Sequence, residues 1–269
     1  MAEELVHAPD DNSEEWRRIL TGEDPRLLSM RRGWRLLPAS PRCKMCAAPF
    51  RGVGRLLTKV IMHGASQGNP LLCNICFGGL RKARGGADIE LTVLFADVRG
   101  STGLAERLSA REFRVLLERF YALASRAIER HDGIVDKFLG DGVMALFIPV
   151  LTGEDHAGRA IAAGAELLAM AERSDLVSEG LRIGAGIHRG TAFAGVMGAA
   201  ERLDFTALGD TVNIAARLGA LAGPGELLVS RTAWDASARD VDGVESREVE
   251  VQGRTGRLEV VVHRPLVAA

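Results

Sequence analysis

None of the apolar runs in this 269-residue chain approaches the roughly 18 residues that a membrane-spanning helix needs. The start is acidic and lacks the basic-then-apolar order of a secretory signal. Together these absences lead to the expectation of a cytoplasmic protein. Cysteine is scarce, with four in all, and every one falls in a Cys-x-x-Cys pair: Cys43-Lys44-Met45-Cys46 and Cys73-Asn74-Ile75-Cys76. In a reducing compartment that spacing favours metal ligation over disulfides. Net charge is almost absent too, with 34 Lys and Arg against 35 Asp and Glu, so total charge names no partner. Its distribution is uneven, because the first 24 residues are rich in acid while no acidic residue occurs between Arg31 and Ala87. A hydrophobic content of 47% describes an ordinary globular chain.

The chain divides by composition. Residues 1–40 hold neither a repeat nor a low-complexity tract and read as an arm with short helices near Glu14 to Leu20 and Pro25 to Leu37. Residues 41–84 carry the cysteines among prolines and glycines, too turn-rich to build a core without a cross-link. Residues 85–88 contain Gly85-Gly86, read as a joint, and 89–265 form the large domain. Within it, Ile89 to Ala96 reads as a buried strand ending at Asp97, and Ala110 to Arg130 as an amphipathic helix closed by Gly133. Ile134 to Leu139 and Val143 to Phe147 read as strands flanking Gly140-Asp141-Gly142, where Asp-Gly is a hairpin signal. Ala157 to Met170 reads as a helix, Leu181 to His188 and Thr191 to Val196 as two strands, and Thr211 to Leu221 as a helix stopped by Gly223-Pro224. Leu227 to Ser230, Val244 to Val251 and Leu258 to His263 complete the strands. Helices alternating with hairpins predict an α+β fold, one mixed sheet covered by helices.

Two aspartates at the ends of neighbouring strands, Asp97 and Asp141, can converge on hard divalent cations that share their remaining positions with phosphate. The bland reading is that Asp simply favours turns and caps. After Asp97 come small residues, Arg99-Gly100-Ser101-Thr102-Gly103, whose amides precede a helix and suit a triphosphate. In Gly209-Asp210-Thr211-Val212-Asn213-Ile214-Ala215-Ala216-Arg217-Leu218, Asp210 or Thr211 is placed to cap a helix. Asn213 and Arg217, four apart, project from one face of it. An amide beside a permanently charged planar fork suits a phosphoryl transition state, although a solvated face is the default for either residue alone. His131, His156 and His188 lack partners at metal-ligand spacing and read as surface or satisfied core positions.

Three ordered blocks, Phe95-Ala96-Asp97-Val98-Arg99-Gly100-Ser101-Thr102, Lys137-Phe138-Leu139-Gly140-Asp141-Gly142 and Gly209 to Arg217, together resemble the signature of the class III adenylate and guanylate cyclase catalytic domain. The resemblance runs from about Ile89 to about His263. It implies a ferredoxin-like mixed sheet covered by helices, and two Mg²⁺ or Mn²⁺ ions held by Asp97, Asp141 and the Val98 carbonyl. It also implies nucleotide contacts from Arg99, Gly100, Ser101 and Thr102, with Asn213 orienting the ribose and Arg217 meeting the α-phosphate. Arg254, in Gln252-Gly253-Arg254-Thr255-Gly256, stands where the family places a cation for the terminal phosphates, more often a lysine. The purine-specifying positions of the family fall on Lys137 and Thr206, a pair that favours ATP. Lysine only donates and adenine N1 accepts, whereas protonated guanine N1 wants an acceptor. Threonine at that place hints at a bicarbonate-responsive subgroup. Family sites lie between two catalytic domains, so a chain with both sets implies a head-to-tail homodimer.

The four cysteines offer a tetrahedral thiolate site for zinc, with an iron–sulfur cluster or unligated thiols as alternatives. Their basic surroundings either balance a negative tetrathiolate site or bind an anionic partner, nucleic acid or lipid headgroup. With only Phe50 and Phe77 as aromatic residues in the module, stacking on a single strand is unpersuasive. The expected role is regulation or dimer stabilisation. The competing readings are a guanylate cyclase, opposed by Lys137, and a catalytically silent scaffold, opposed by the joint presence of Asp97, Asp141, Asn213 and Arg217.

Overall fold

The computed structural model describes residues 12–37, 41–51, 64–67, 69–82, 84–199, 202–237, 239, 244–250 and 257–264. The chain forms two compact units. The first comprises residues 1–89, 149–153 and 192–208, and the second 90–148, 154–191 and 209–269.

The second unit is a mixed sheet with helices. The strands of that sheet are β1 (Gly85–Arg99), β2 (Ile134–Leu139), β3 (Gly142–Phe147), β4 (Arg182–Ala199), β6 (Leu227–Ser230), β7 (Glu245–Glu250) and β8 (Arg257–His263), in the order β2-β3-β1-β4-β6-β8-β7, with residues 85–89 of β1 and 192–199 of β4 belonging to the first unit. β3 is buried along its whole length, as expected of an inner strand with both faces covered. β7, at the edge, carries alternating exposed Glu residues and Arg247, which blunts the edge with charge. β4 and β6 run parallel, while the pairs β1/β3, β2/β3, β6/β8 and β7/β8 run antiparallel.

Helix α5 (Ala110–Arg130) starts at a capping box: Glu112 N–H donates to Ser109 Oγ at 3.3 Å and Ser109 N–H to Glu112 Oε2 at 2.8 Å. One face buries Leu116, Phe120, Ala124, Ala127 and Ile128 and packs against α7 (His156–Glu172), whose Gly164 lies against Leu227 and Ile187 of the sheet. Phe120 is fully buried, so truncation to Ala would cost about 3–5 kcal/mol. Two short helices, α4 (Ser101–Arg107) and α9 (Arg231–Asp235), and the longer α8 (Asp210–Leu221) complete this unit.

The first unit contains α1 (Ser13–Thr21), α2 (Pro25–Arg35), the two cysteine knuckles, α3 (Asn74–Lys82) and α6 (Pro149–Thr152). It also holds the outer half of β4, paired antiparallel with β5 (Arg202–Leu208). Asp24 caps α2 by accepting from Leu27 N–H at 2.9 Å, with Pro25 at the first helical position.

Two sequence expectations change here. Gly85 and Gly86 already belong to β1 and are not a separate joint, because their missing side chains let the β1 backbone lie against the Ala194-Gly195 backbone of β4. The two strands expected around Gly190 are one continuous strand, β4, with extended backbone through that glycine.

Candidate active site

Pairing of β1 with β3 brings the two aspartate positions together. Asp97 lies opposite Gly142, the residue after Asp141, and Val98 N–H donates to the Asp141 carbonyl at 3.0 Å. The turn between β2 and β3 is Gly140-Asp141, closed by the Leu139–Gly142 pair. Its glycine requirement falls on Gly140, at φ +67°, and not on Gly142; a positive φ at the first turn residue is the II′ pattern. Gly142 has a different reason to lack a side chain, since a Cβ there would stand 3.3 Å from both Asp97 Oδ1 and Ala96 O. It leaves room for the Asp97 carboxylate.

The electrostatics around this pair oppose one another. Burial raises the pKa of the Asp97 carboxyl, Arg99 pulls it down, and the negative charge of Asp141 pushes it up again. Arg99 contacts the Asp97 carboxylate through Nη2, while Nη1 donates to Ala220 O at 2.9 Å and Ala222 O at 3.3 Å. It is thereby pinned between the aspartate and the negative end of α8. After it, Gly100 (φ +69°) turns the chain into α4, leaving Ser101 half-buried and Thr102 exposed.

Sequence reading missed Tyr121, the one tyrosine of the chain. From α5 its hydroxyl donates to the Gly140 carbonyl, and its ring stacks on Phe138 with centroids 4.2 Å apart. It therefore braces the turn that presents Asp141. Burial, and then the charge of Asp141, raise its pKa and keep the phenol a donor. The available signal was a polar ring at a helix position where the apolar stripe continues.

Lys137 follows a bulge: Val135 pairs with Ala145 but Lys137 with Met144, leaving Asp136 as the extra residue. Its ammonium sits 3.2 Å from the buried Asp136 carboxylate. α8 presents Asn213, exposed, and Arg217, half-buried, on the face opposite Ile214, Ala215 and Leu218. Among the described residues neither makes a side-chain hydrogen bond or ion pair, and neither is joined to Asp97 or Asp141. The helix lies close on the sheet because a Cβ on Gly186 would come 2.0 Å from Gly219 N. Gly219 in turn faces Phe95, two residues before Asp97. The expected side-chain cap is corrected: Gly209 is the N-cap, and Thr211 Oγ1 instead donates to Thr191 O at 2.5 Å, filling the space beside Gly190.

Thr206 belongs to the first unit, where it is buried on β5 opposite Gly195. Arg254 lies outside the described residues. Of the histidines, buried His156 shares a 2.8 Å hydrogen bond with Thr92 and His131 one of 2.8 Å with Glu166, as expected for satisfied rather than ligating residues.

The four cysteine sulfurs lie within 4.8 Å of one another, with Cys46 and Cys73 Sγ 3.7 Å apart. Zinc–sulfur bonds of about 2.3 Å in a tetrahedron require sulfurs about 3.8 Å apart, so the cluster fits such an ion. Backbone N–H groups of Cys73 and Cys76 point at the Cys43 and Cys73 sulfurs, at 3.3 and 3.4 Å. Hydrogen bonding among the four thiols splits them: it lowers Cys43, led by Cys46, to about 7 and lowers Cys73, led by Cys43, while hydrogen bonding led by Cys43 raises Cys46 and Cys76. Arg31, also missed, ties the first knuckle to α6 by donating to Met45 O (2.7 Å), Lys44 O (3.0 Å) and Val150 O (2.7 Å).

Residues 87–264, well over half of the chain, match the family profile described as the adenylate and guanylate cyclase catalytic domain. Among curated proteins, adenylate cyclase 1 of Rhizobium meliloti is 36% identical over 137 residues, covering 48% of this chain and 20% of that protein. The adenylate cyclase of Anabaena cylindrica is 34% identical over 143 residues, 49% of this chain and 27% of that one. The chain thus spans under a third of the length of these relatives. Among solved structures, the guanylyl cyclase Cya2 superposes with TM-score 0.61 at 28% identity, covering 66% of this chain and 93% of that one. The adenylyl cyclase CyaB from P. aeruginosa gives 0.60 at 30%, covering 66% and 94%. The α+β mixed sheet expected from the sequence is the fold of these domains.

Proposed function

The chain belongs to the adenylate and guanylate cyclase catalytic-domain family, and on that premise we propose that it is an adenylate cyclase, converting ATP to 3′,5′-cyclic AMP and pyrophosphate. The observation that carries this reading is that Asp97, on β1, lies beside Asp141, in the turn before the paired strand β3, with a glycine opposite Asp97 that keeps its carboxylate clear.

Ring closure forms the bond from ribose O3′ to the α-phosphorus, breaks the bond from that phosphorus to the pyrophosphate oxygen, and releases the 3′-hydroxyl proton. Asp97 and Asp141, with the Val98 carbonyl, would hold two Mg²⁺ or Mn²⁺ ions, which supply acidity to the hydroxyl and charge neutralisation to the leaving group. Asn213 orients the ribose, and Arg217 offers a fixed planar fork to the charge that gathers on the α-phosphate oxygens. Ser101, Thr102 and the amides after Gly100 receive the phosphates, together with Arg254. Arg99 places the Asp97 carboxylate and opposes the rise in its pKa that burial causes. Lys137 and Thr206 read the purine as donor and polar partner, which favours adenine.

The exposed face that carries Asn213 and Arg217 suits completion of the site by a second copy of the chain, each protomer supplying the aspartates of one site and the α8 residues of the other. The four cysteines hold a structural zinc ion. Incubating the purified protein with ATP or GTP and Mn²⁺, followed by chromatography, tests the reading. Cyclic AMP is the expected product; no cyclic nucleotide under any divalent metal would end it, and cyclic GMP alone would reverse the purine assignment.

A further inference from the structure

The strand that carries Thr206 has a second buried face. Adjacent residues of a strand point to opposite sides, so Phe205 turns away from the side that presents Thr206. Both are buried, at 8% exposure each, so something covers Phe205. That cover is the indole of Trp16 on α1, stacked on Phe205 with centroids 6.4 Å apart and planes 22° apart.

Trp16 is itself held from several directions. It is 5% exposed and lies against Gly85, where a Cβ would come 2.7 Å from its Nε1. Asn12, just before α1, donates to Arg84 O at 3.0 Å and ties the helix to the start of β1. The indole also lines a cavity of about 280 Å³ whose wall includes Met45 of the first knuckle and Cys76, Gly79 and Leu80 of α3. α3, which begins within the second knuckle, packs on β5 directly. On the far side, β5 pairs with β4 through Thr206 and Gly195. Gly195 meets β1 backbone to backbone, since a Cβ there would stand 2.3 Å from Gly85 O. Next to it the Phe193 ring and the Ala194 carbonyl lie against Gly86, so the start of β1 is closely packed on β4.

We propose that Trp16 is a positioning residue for purine selection: stacked on Phe205 and flanked by the cysteine-tied helix α3, it sets the depth at which β5 presents Thr206. The inference rests on the reading of Thr206 as a purine contact. It gives the cysteine site a function beyond local stability, because a cation that draws Cys43, Cys46, Cys73 and Cys76 together also seats α3 against β5. Occupancy of that site then governs affinity for the base more than the rate of ring closure.

The test compares the wild-type chain with Trp16→Ala, Trp16→Phe and Thr206→Ala, measuring kcat and KM for ATP and GTP with Mn²⁺ and hydrogen–deuterium exchange over residues 202–208. Trp16→Ala and Thr206→Ala are expected to lower the ATP-to-GTP ratio of kcat/KM by about tenfold, mainly through KM for ATP. Trp16→Phe should keep it. Exchange over 202–208 should quicken severalfold in Trp16→Ala and in wild type stripped by a zinc chelator, and stay unchanged in Thr206→Ala. If Thr206→Ala shifts the ratio while Trp16→Ala leaves it unchanged, or depresses both substrates equally, the inference about Trp16 is overturned and the Thr206 reading stands. An unchanged ratio in Thr206→Ala removes the Thr206 reading and the inference with it. Should Trp16→Ala fail to fold, the chelated wild type decides, and unaltered exchange over 202–208 overturns the proposal.

Discussion

Asp97 and Gly142 face each other across the β1–β3 pair, and the glycine's missing side chain is the space that the Asp97 carboxylate uses. This strand pair is therefore shaped as much by an absent methyl as by the carboxylates beside it.

Gly142→Ala places a methyl 3.3 Å from Asp97 Oδ1 and from the Ala96 carbonyl, which belongs to the strand backbone and yields little. The carboxylate must turn instead. Activation by Mn²⁺ should require about 10- to 100-fold more metal, in line with losses seen when the surroundings of metal ligands are altered. Titrating activity against Mn²⁺ at saturating ATP measures this, and an unchanged activation curve would show that Asp97 does not bind the metal in this orientation.

A shared site makes a numerical forecast. Asp97→Ala and Asn213→Ala are each expected to be inactive alone. Mixed one to one, half of the dimers are mixed and each mixed dimer keeps one intact site of two, so activity should return to about a quarter of wild type. If pull-down with differently tagged chains shows mixed dimers and the mixture stays dead, the site is not shared.

Tyr121→Phe removes the hydroxyl that donates to Gly140 O while keeping the ring on Phe138. The lost hydrogen bond should cost about 1 kcal/mol of stability. Because the turn carries Asp141, a severalfold fall in kcat with a melting temperature lowered by only about 2–4 °C is the expected pattern. Equal activity in Tyr121→Phe and wild type would assign the hydroxyl to stability alone.

Glu226 joins the loop after α8 to the edge strands: Gly223 N–H and Arg247 Nη2 both lie 2.9 Å from Oε2, and Arg264 Nη2 lies 2.5 Å from Oε1. Burial on its own would raise its pKa, but the Gly223 amide and the two guanidiniums outweigh that and hold it below the ordinary 4.5. A carboxylate depressed on folding adds stability that is fully present above its unfolded pKa and is lost as pH falls through the folded value. Glu226→Gln should therefore be less stable than wild type by about 1.5–3 kcal/mol near pH 7, with the gap closing as the pH drops below about 4.5. Urea unfolding at several pH values reads both; a gap that persists at acid pH would mean that packing, not charge, is what the glutamine disturbs.

Much of this protein is written locally. The apolar spacing of Ala110 to Arg130 and the strands on either side of Gly140 and Asp141 depend on near neighbours, and so does the pairing of cysteines two by two. So they could be read without coordinates. The ordered blocks around Asp97, Asp141 and Asn213 carried the family, because each motif places its chemistry within a few residues of chain. What needed tertiary structure are relationships between distant residues. Arg99 reads as a phosphate ligand by position, yet its guanidinium is held by Asp97 and the end of α8. Tyr121 is one more ring beside the apolar stripe of its helix until the turn of Asp141 is brought against it. Trp16 and Phe205 lie far apart in the sequence, and no local periodicity pairs them. Local propensity sets which elements form. Which residue sits behind a catalytic side chain is decided only when the sheet closes and its packing leaves room for one neighbour and not another.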